Sequence, residues 1–238
     1  TVENLEDLIS ITLKIPVEDL IGNVKIVSPE QLVQNKNNKK HILDVVAEIN
    51  FPGEKRNKVN IEVNMEKGST LIRNIAYALG LYSNGIKAGD NYDNISSLVQ
   101  ISFNAYDVGE KNTRVVKTFM LRDEKNEVLS KTLQLYHINI EKAKVLWYDK
   151  NIESEEENQD LIKIGALMLI NKRADFERCL EEIAMRDKVK KNIKQAVEEF
   201  SYDEYEWGLL DEEKDKIARY NAGISYAHKE GLRQGITE

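Results

Sequence analysis

Two stretches in the first third of the chain alternate between apolar and polar residues, which predicts two β-strands at residues 42–49 and 58–65, joined by a turn around Pro52 and Gly53. Successive side chains of a strand point to opposite faces, so each strand has one apolar and one more polar face. The apolar set is Leu43, Val45, Ala47, Ile49, Val59, Ile61, Val63 and Met65. The opposite set is Asp44, Val46, Glu48, Asn60, Glu62, Asn64 and Glu66.

A hairpin that is symmetric about Gly53 places Asp44 opposite Glu62, with their Cβ atoms about 5 Å apart. Two carboxylates at that distance resist joint ionisation unless a cation lies between them, and Mg²⁺ takes carboxylate oxygens as ligands. One interpretation is therefore a metal site. The other is an ordinary hairpin whose polar face is solvated.

The remaining pattern predicts a mixed α/β core followed by helices. A helix at residues 70–86 separates the strand at 58–65 from the apolar strand at 98–103, and this β-α-β order predicts parallel pairing. The other predicted strands are 24–27, 114–122 and 133–140, and the other predicted helices are 4–14, 161–170, 176–200 and 212–233. We expect residues 1–150 to form the core and residues 151–238 a helical C-terminal region.

Composition restricts the class of protein. Of the 238 residues, 41% are hydrophobic and 32% are charged, as in soluble globular proteins, and the absence of any run of about 20 apolar residues predicts a cytoplasmic protein without membrane contact. The single cysteine, Cys179, excludes an intrachain disulfide. The net charge of −7 is concentrated in the C-terminal half, so a DNA-binding surface would have to be local, for example at Lys39 and Lys40.

Several sequence motifs occur in an order that resembles a known nuclease family. Asp44 followed by Glu62-x-Asn64 resembles the Asp…(Asp/Glu)-x-Lys signature of the PD-(D/E)XK nucleases. The segments HILDVVAEI, VNIEVNM, RNIAYALGLYSNGIKAGDNYDNISSLVQISF and AMRDKVKKNIKQAVEEFSYDE resemble, in the same order, the Rpn recombination-promoting nucleases, also called PD-(D/E)XK nuclease family transposases. The resemblance implies a restriction endonuclease-like core with a mixed central sheet flanked by helices.

The resemblance also implies a function and a set of site residues. Asp44, Glu62 and the backbone carbonyl of Val63 would bind Mg²⁺ or Mn²⁺ for DNA hydrolysis in recombination, mobile elements or phage defence, with Asn64 at the position of the catalytic lysine. The alternative is a catalytically weak or inactive nuclease-fold protein that binds DNA or a protein partner.

Residues on the predicted helices have more than one interpretation. Arg73 could bind phosphate or Glu62, and Tyr77 could stack or donate a hydrogen bond, or both could pack the helix on the sheet. Glu6 or Asp7 could add a ligand or lie on a solvated helix face. His137 is interpreted as an ordinary hydrogen-bonded residue. The C-terminal helices could form a homo-oligomer.

Overall fold

Six strands and seven helices form the part of the chain that the structure, a computed structural model, describes: residues 1–27, 45–51, 57–65, 70–83, 91, 96–107, 114–152 and 157–200. The strands are β1 (Val24–Val27), β2 (Val45–Ile49), β3 (Asn57–Asn64), β4 (Ser97–Asn104), β5 (Val116–Arg122) and β6 (Val128–Asn139). The helices are α1 (Val2–Leu13), α2 (Val17–Leu20), α3 (Thr70–Ser83), α4 (Ile140–Tyr148), α5 (Gln159–Leu167), α6 (Arg173–Glu181) and α7 (Asp187–Phe200). Within these ranges, no helix combines the length and apolar character that crossing a bilayer requires.

The strands form a single mixed sheet in the order β1-β2-β3-β4-β6-β5. Strands β1, β2 and β3 pair antiparallel, β4 lies parallel to both β3 and β6, and β5 pairs antiparallel with β6 at the edge. The predicted β-α-β unit is confirmed, since α3 connects two parallel neighbours. The predicted mixed sheet flanked by helices is also confirmed.

The two faces of the sheet carry different side chains and different helices. On one face, Ala78 and Leu81 of α3 pack with Val46 and Leu98 in a small apolar cluster. On the other face, alternate residues of the central strands form the main core, together with buried residues of α1, α4, α5 and α6 such as Ile9 and Leu161. The amphipathic helices therefore cover both faces, and α3 lies on the face that carries the predicted polar residues.

Apart from the one-turn helix α2, which was not predicted from the sequence, two features of the helical part differ from the sequence prediction. Helix α4 was not predicted, although Asn139 caps it by accepting a hydrogen bond from Lys142 N at 2.9 Å, and Ile140, Ala143 and Trp147 are spaced to share one buried face. The single helix predicted at 176–200 is wrong, because α6 ends at Glu181 and α7 begins at Asp187. No glycine or proline marks this break. The predicted helix at 212–233 lies outside the described residues.

Buried ion pairs join α1 to the start of α7. Glu6 and Asp7 are 4% and 3% exposed, and Arg186 donates from Nη2 to Glu6 Oε2 at 2.8 Å and from Nε to Asp7 Oδ1 at 2.6 Å. The backbone N–H of Arg186 also donates to Asp7 Oδ2, at 2.8 Å. The interpretation of Glu6 and Asp7 as a solvated helix face is therefore wrong, and both carboxylates are bound by Arg186.

Candidate active site

A stripe of buried polar side chains crosses strands β3, β4 and β6 on the face that α3 covers. The strand register aligns these residues in rows, because Glu62 pairs with Ser102 and Ser102 with His137, while Asn64 pairs with Asn104 and Asn104 with Asn139. All members are at most 7% exposed: Asn60, Glu62, Asn64, Gln100, Ser102, Asn104, His137 and Asn139. We call this set the polar stripe. Buried polar groups on a sheet are costly unless they are hydrogen-bonded, so the stripe requires an internal network.

Glu62 lies within the polar stripe and is only 3% exposed. Asn60 Nδ2 donates to Glu62 Oε1 at 3.1 Å and to Gln100 Oε1 at 3.3 Å. Asn60 Oδ1 is buried and has no hydrogen-bond partner among the described residues. The interpretation of this strand face as an ordinary solvated surface is therefore wrong for β3. A carboxylate in such a place calls for a compensating charge or hydrogen bonds.

The described part of the β2–β3 hairpin has the register that the sequence analysis assumed. Val45 pairs with Ile61, Ala47 with Val59 and Ile49 with Asn57, so the pairs are symmetric about position 53. Asp44, Lys39 and Lys40 lie outside the described residues. Their place in the site therefore stays a prediction.

Asn64 has both ends of its amide hydrogen-bonded. Its Nδ2 donates to Asn104 Oδ1 at 3.0 Å, and its Oδ1 accepts from Arg73 Nη2 at 3.1 Å. The guanidinium of Arg73 lies 5.9 Å from the centre of the Tyr77 ring, at the outer limit of a cation–π contact. The structure thus brings together Asn64, Arg73 and Tyr77. The side chain of Val63, which alternates to the opposite face, is 43% exposed.

His137 extends the network to β6. Asn104 Nδ2 lies 3.2 Å from His137 Nδ1, so the amide donates and the ring nitrogen accepts. Burial, and secondly the positive charge of Lys117, lower the pKa of His137 to about 4, which keeps the imidazole neutral at pH 7. The prediction that His137 is an ordinary hydrogen-bonded residue did not foresee its place in the same network as Asn64.

Four of the eight residues of the polar stripe were not identified from the sequence: Gln100, Ser102, Asn104 and Asn139. Gln100, Ser102 and Asn104 stand at every second position of an apolar strand, a period-2 signal that could have placed them on one face with Glu62. The neighbour of each residue depends on the order of strands in the sheet. That order cannot be read from the local sequence pattern.

The described ranges contain no complete metal-binding cluster. No cluster of three or more His, Cys, Asp or Glu suited to an ion occurs there. The stripe nevertheless contains oxygen atoms other than those of Glu62, including the buried Asn60 Oδ1, although the amide nitrogen of Asn60 is the end that contacts Glu62. Oxygen is the donor that Mg²⁺ and Mn²⁺ prefer, so this chemistry fits such an ion once a second carboxylate joins it.

Comparison with known protein families gives one match, which covers most of the chain. The PD-(D/E)XK nuclease family transposases match residues 3–227. The chain belongs to this family. Searches of curated proteins and of solved structures gave no match. Membership in a PD-(D/E)XK family agrees with the mixed sheet. It also makes the buried Glu62 of β3 a candidate for an acidic residue of the site.

Proposed function

We propose that this protein is a metal-dependent DNA endonuclease that acts in recombination, the movement of mobile elements or phage defence. The observation that carries the proposal is the burial of Glu62 beside amide side chains in a chain that belongs to a PD-(D/E)XK nuclease family, and Glu62-x-Asn64 resembles that family's (Asp/Glu)-x-Lys motif. A structural role alone gives little reason to keep a carboxylate there, because an amide or apolar side chain costs less to bury.

Asp44, Glu62 and the backbone carbonyl of Val63 would hold Mg²⁺ or Mn²⁺. A register that continued by one residue beyond the pair Val45 and Ile61 would place position 44 opposite position 62, which supports the assignment of Asp44. When bound, the ion polarises the scissile phosphate and lowers the pKa of a bound water. The hydrogen bond from the Asn60 amide restricts the rotation of Glu62 and helps to orient its carboxylate.

Arg73 would supply the positive charge that the family's lysine normally gives. Asn64 stands at the lysine position, and an amide provides neither a cation nor a base. Arg73 places a permanently charged guanidinium 3.1 Å from Asn64 Oδ1, while Asn104 holds the other end of that amide. In this proposal Asn64 would hold the Arg73 guanidinium in place for a phosphate. Tyr77, Lys39 and Lys40 would bind the flanking DNA backbone.

A non-catalytic DNA-binding or protein-binding module is the second candidate. The observation that favours it is the same Asn64, because the loss of the lysine removes a group that positions or deprotonates water in related enzymes. The nuclease proposal differs from it in requiring phosphodiester cleavage that depends on both Glu62 and a divalent ion.

Cleavage of supercoiled plasmid with Mn²⁺ or Mg²⁺ tests the proposal. The variants are Glu62→Gln and Asp44→Ala, with Glu48→Gln as the matched control, because Glu48 lies on the same hairpin opposite Lys58. We expect wild type and Glu48→Gln to nick the plasmid, and the two site variants to lose at least about 100-fold, since the loss of supporting partners alone costs 10–100-fold. Equal nicking by wild type and Glu62→Gln, or by neither, would contradict the enzyme and favour the binding module.

A further inference from the structure

Strands β5 and β6 extend past the rest of the described sheet as a two-stranded hairpin. Strand β6 pairs with β4 only from Leu133 onward, so residues 128–132 have β5 as their single strand neighbour in the described sheet. A two-stranded hairpin is at best marginally stable by itself in water, so such a projection needs further contacts. We call residues 118–132 the hairpin arm.

The hairpin arm exposes large apolar side chains. Phe119 is 40% exposed, Leu121 53% and Leu129 78%. Leu121 pairs with Ser130, the chain neighbour of Leu129, so these side chains lie on adjacent strands. Clustered apolar exposure of this kind on a globular protein marks a surface for association.

The outer side of β5 is an open strand edge, because no strand in the described part of the chain pairs with it. The backbone N–H and C=O groups along such an edge form a template for another strand. Both irregularities in the β5–β6 ladder add residues to β6 and none to β5, since residues 120–122 pair with Gln134, Ser130 and Val128. The outer edge of β5 is therefore continuous. Strand β1, at the opposite edge of the sheet, has only four residues.

The charge of the hairpin arm favours a protein partner over a nucleic acid. The arm contains three cations and three anions: Arg122, Lys125, Lys131, Asp123, Glu124 and Glu127. Binding to a phosphate backbone depends on an excess of cations, which this surface does not have.

A second copy of the same arm is complementary to it. Two antiparallel β5 strands with Met120 opposite Met120 place each Phe119 opposite the partner's Leu121. The same register places each Lys117 opposite the partner's Asp123 and brings no like charges opposite each other. Apolar pairs and opposite charges that face each other across strands are stabilising. Such a contact uses the same patch on both copies, so it closes as a dimer.

This surface adjoins the candidate active site. The ring of Phe119 meets the ring of His137 edge-on, with 5.5 Å between the two centres. His137 Nδ1 in turn accepts the hydrogen bond from Asn104, which also binds Asn64. A partner that covers Phe119 would therefore lie next to the polar stripe.

We propose that two copies of this chain associate through their hairpin arms, with the outer edges of β5 paired antiparallel about Met120. Backbone hydrogen bonds join the two edges, and burial of Phe119 and Leu121 stabilises the contact. The inference does not rest on the nuclease proposal, so plasmid cleavage can succeed or fail independently of it.

Sedimentation equilibrium of the full chain over a series of concentrations tests the interface. The test variant is Phe119→Gln with Leu121→Gln. The matched control is Ile72→Gln with Leu79→Gln, because these apolar side chains on α3 are also exposed. Circular dichroism verifies the fold of both. We expect wild type and control to dimerise equally, and the test variant to raise the dissociation constant by at least about tenfold through the loss of apolar anchors.

Oxidative cross-linking tests the register. Directly opposite residues of antiparallel strands have Cα atoms about 4.5–5.5 Å apart, which a disulfide can bridge. Met120→Cys should therefore give a covalent dimer on a non-reducing gel. Thr118→Cys, the matched control, should not, because the two copies of position 118 lie about 14 Å apart in this register. The native Cys179 is buried, and burial raises the pKa of its thiol to about 12, so it does not compete.

A wild type that is monomeric at every concentration would overturn the hairpin-arm interface. An equal dissociation constant for wild type and the test variant would overturn it too, and would favour a contact through the C-terminal helices. Cross-linking of Thr118→Cys to the same extent as Met120→Cys, or of neither, would contradict the pairing about Met120.

Discussion

Glu62 is a carboxylate that the fold buries, although a charged group is more stable in water. It is 3% exposed on a strand whose next residue, Val63, is 43% exposed, so β3 buries the charged group and leaves the apolar one half in water. The hydrogen bond that the Asn60 amide donates to Glu62 reduces the cost of burying the carboxylate. Such reversals of the usual pattern are concentrated at functional sites.

Moving the positive charge from residue 73 to residue 64 tests whether Arg73 replaces the lysine that Asn64 lacks. Asn64→Lys alone should lower cleavage, because it places an ammonium beside the Arg73 guanidinium, which now lies 3.1 Å from Asn64 Oδ1. Arg73→Ala alone should lower it on the order of 100-fold through the loss of the cation. Asn64→Lys combined with Arg73→Ala should recover activity relative to Arg73→Ala. Steady-state plasmid cleavage measures all three, and a double variant no better than Arg73→Ala would refute the exchange.

His137 should make stability depend on pH in a defined window. Its folded-state pKa of about 4 is below the ordinary 6.5, so the unfolded chain takes up a proton first as the pH falls. The unfolding free energy should therefore decrease between pH 6.5 and 4, by at most about 3 kcal/mol, and this contribution should level off below pH 4.

His137→Gln keeps an acceptor for Asn104 but cannot titrate. Urea denaturation at several values between pH 7 and 4 should give a smaller loss for the variant than for wild type. Parallel curves for the two proteins would mean that burial of His137 does not control the change.

At the scale of elements, two helical glycines differ in the space that is available for an added side chain. A Cβ added at Gly165 of α5 would lie 3.1 Å from Ile138 Cγ2 and 3.2 Å from Ala143 Cβ, and the latter is fixed to the backbone of α4. At Gly80 of α3, no described atom lies within 4 Å of the added Cβ. The close approach of α5 to α4 and β6 therefore depends on the missing side chain at 165.

The two Gly→Ala variants should change stability in opposite directions. Gly80→Ala should raise the unfolding free energy by about 0.5–1 kcal/mol through helix propensity and the restricted unfolded chain. Gly165→Ala should lower it by about 1 kcal/mol, because overpacking outweighs the same propensity gain. Chemical denaturation of both variants under the same conditions measures this difference, and a stabilised Gly165→Ala would indicate that the contact relaxes freely.

Most elements of the sheet could be predicted from local patterns, and the contacts between them could not. Alternation identified β3, and the apolar run at 98–103 identified β4, because strands repeat every two residues. A local sequence pattern does not identify the distant residues that a side chain will contact in the fold. Glu62 is buried on the same face of the sheet as α3, and the break before Asp187 coincides with Arg186 binding α1, 179 residues away in sequence.

At the scale of the whole molecule, Arg186 joins helix α1 to the start of helix α7. Arg186→Met should lower the unfolding free energy by about 3–5 kcal/mol, because it leaves Glu6 and Asp7 buried without their cation. Lys188→Met is the matched control, because its 2.8 Å pair with Glu3 is exposed and should contribute no more than about 1 kcal/mol. Urea denaturation compares the two, and equal losses would show that burial adds nothing to the Arg186 pairs.

The helices that follow residue 157 also complete the main core. Leu161, Ile162 and Leu180 are buried in the same cluster as Ile101 and Phe103 of β4. The division at residue 150 between a nuclease-like core and a helical region stays a prediction about domains, and so does the oligomer through the C-terminal helices. The sheet presents the polar stripe on the face opposite this cluster.

The affinity for Mn²⁺, measured by electron paramagnetic resonance, tests most directly whether Glu62 belongs to a metal centre. We predict that wild type and Glu48→Gln bind the ion with equal affinity, and that Glu62→Gln and Asp44→Asn each weaken binding by more than about tenfold while keeping their fold. Equal Mn²⁺ affinity in all four proteins, or no binding by wild type, would contradict the account.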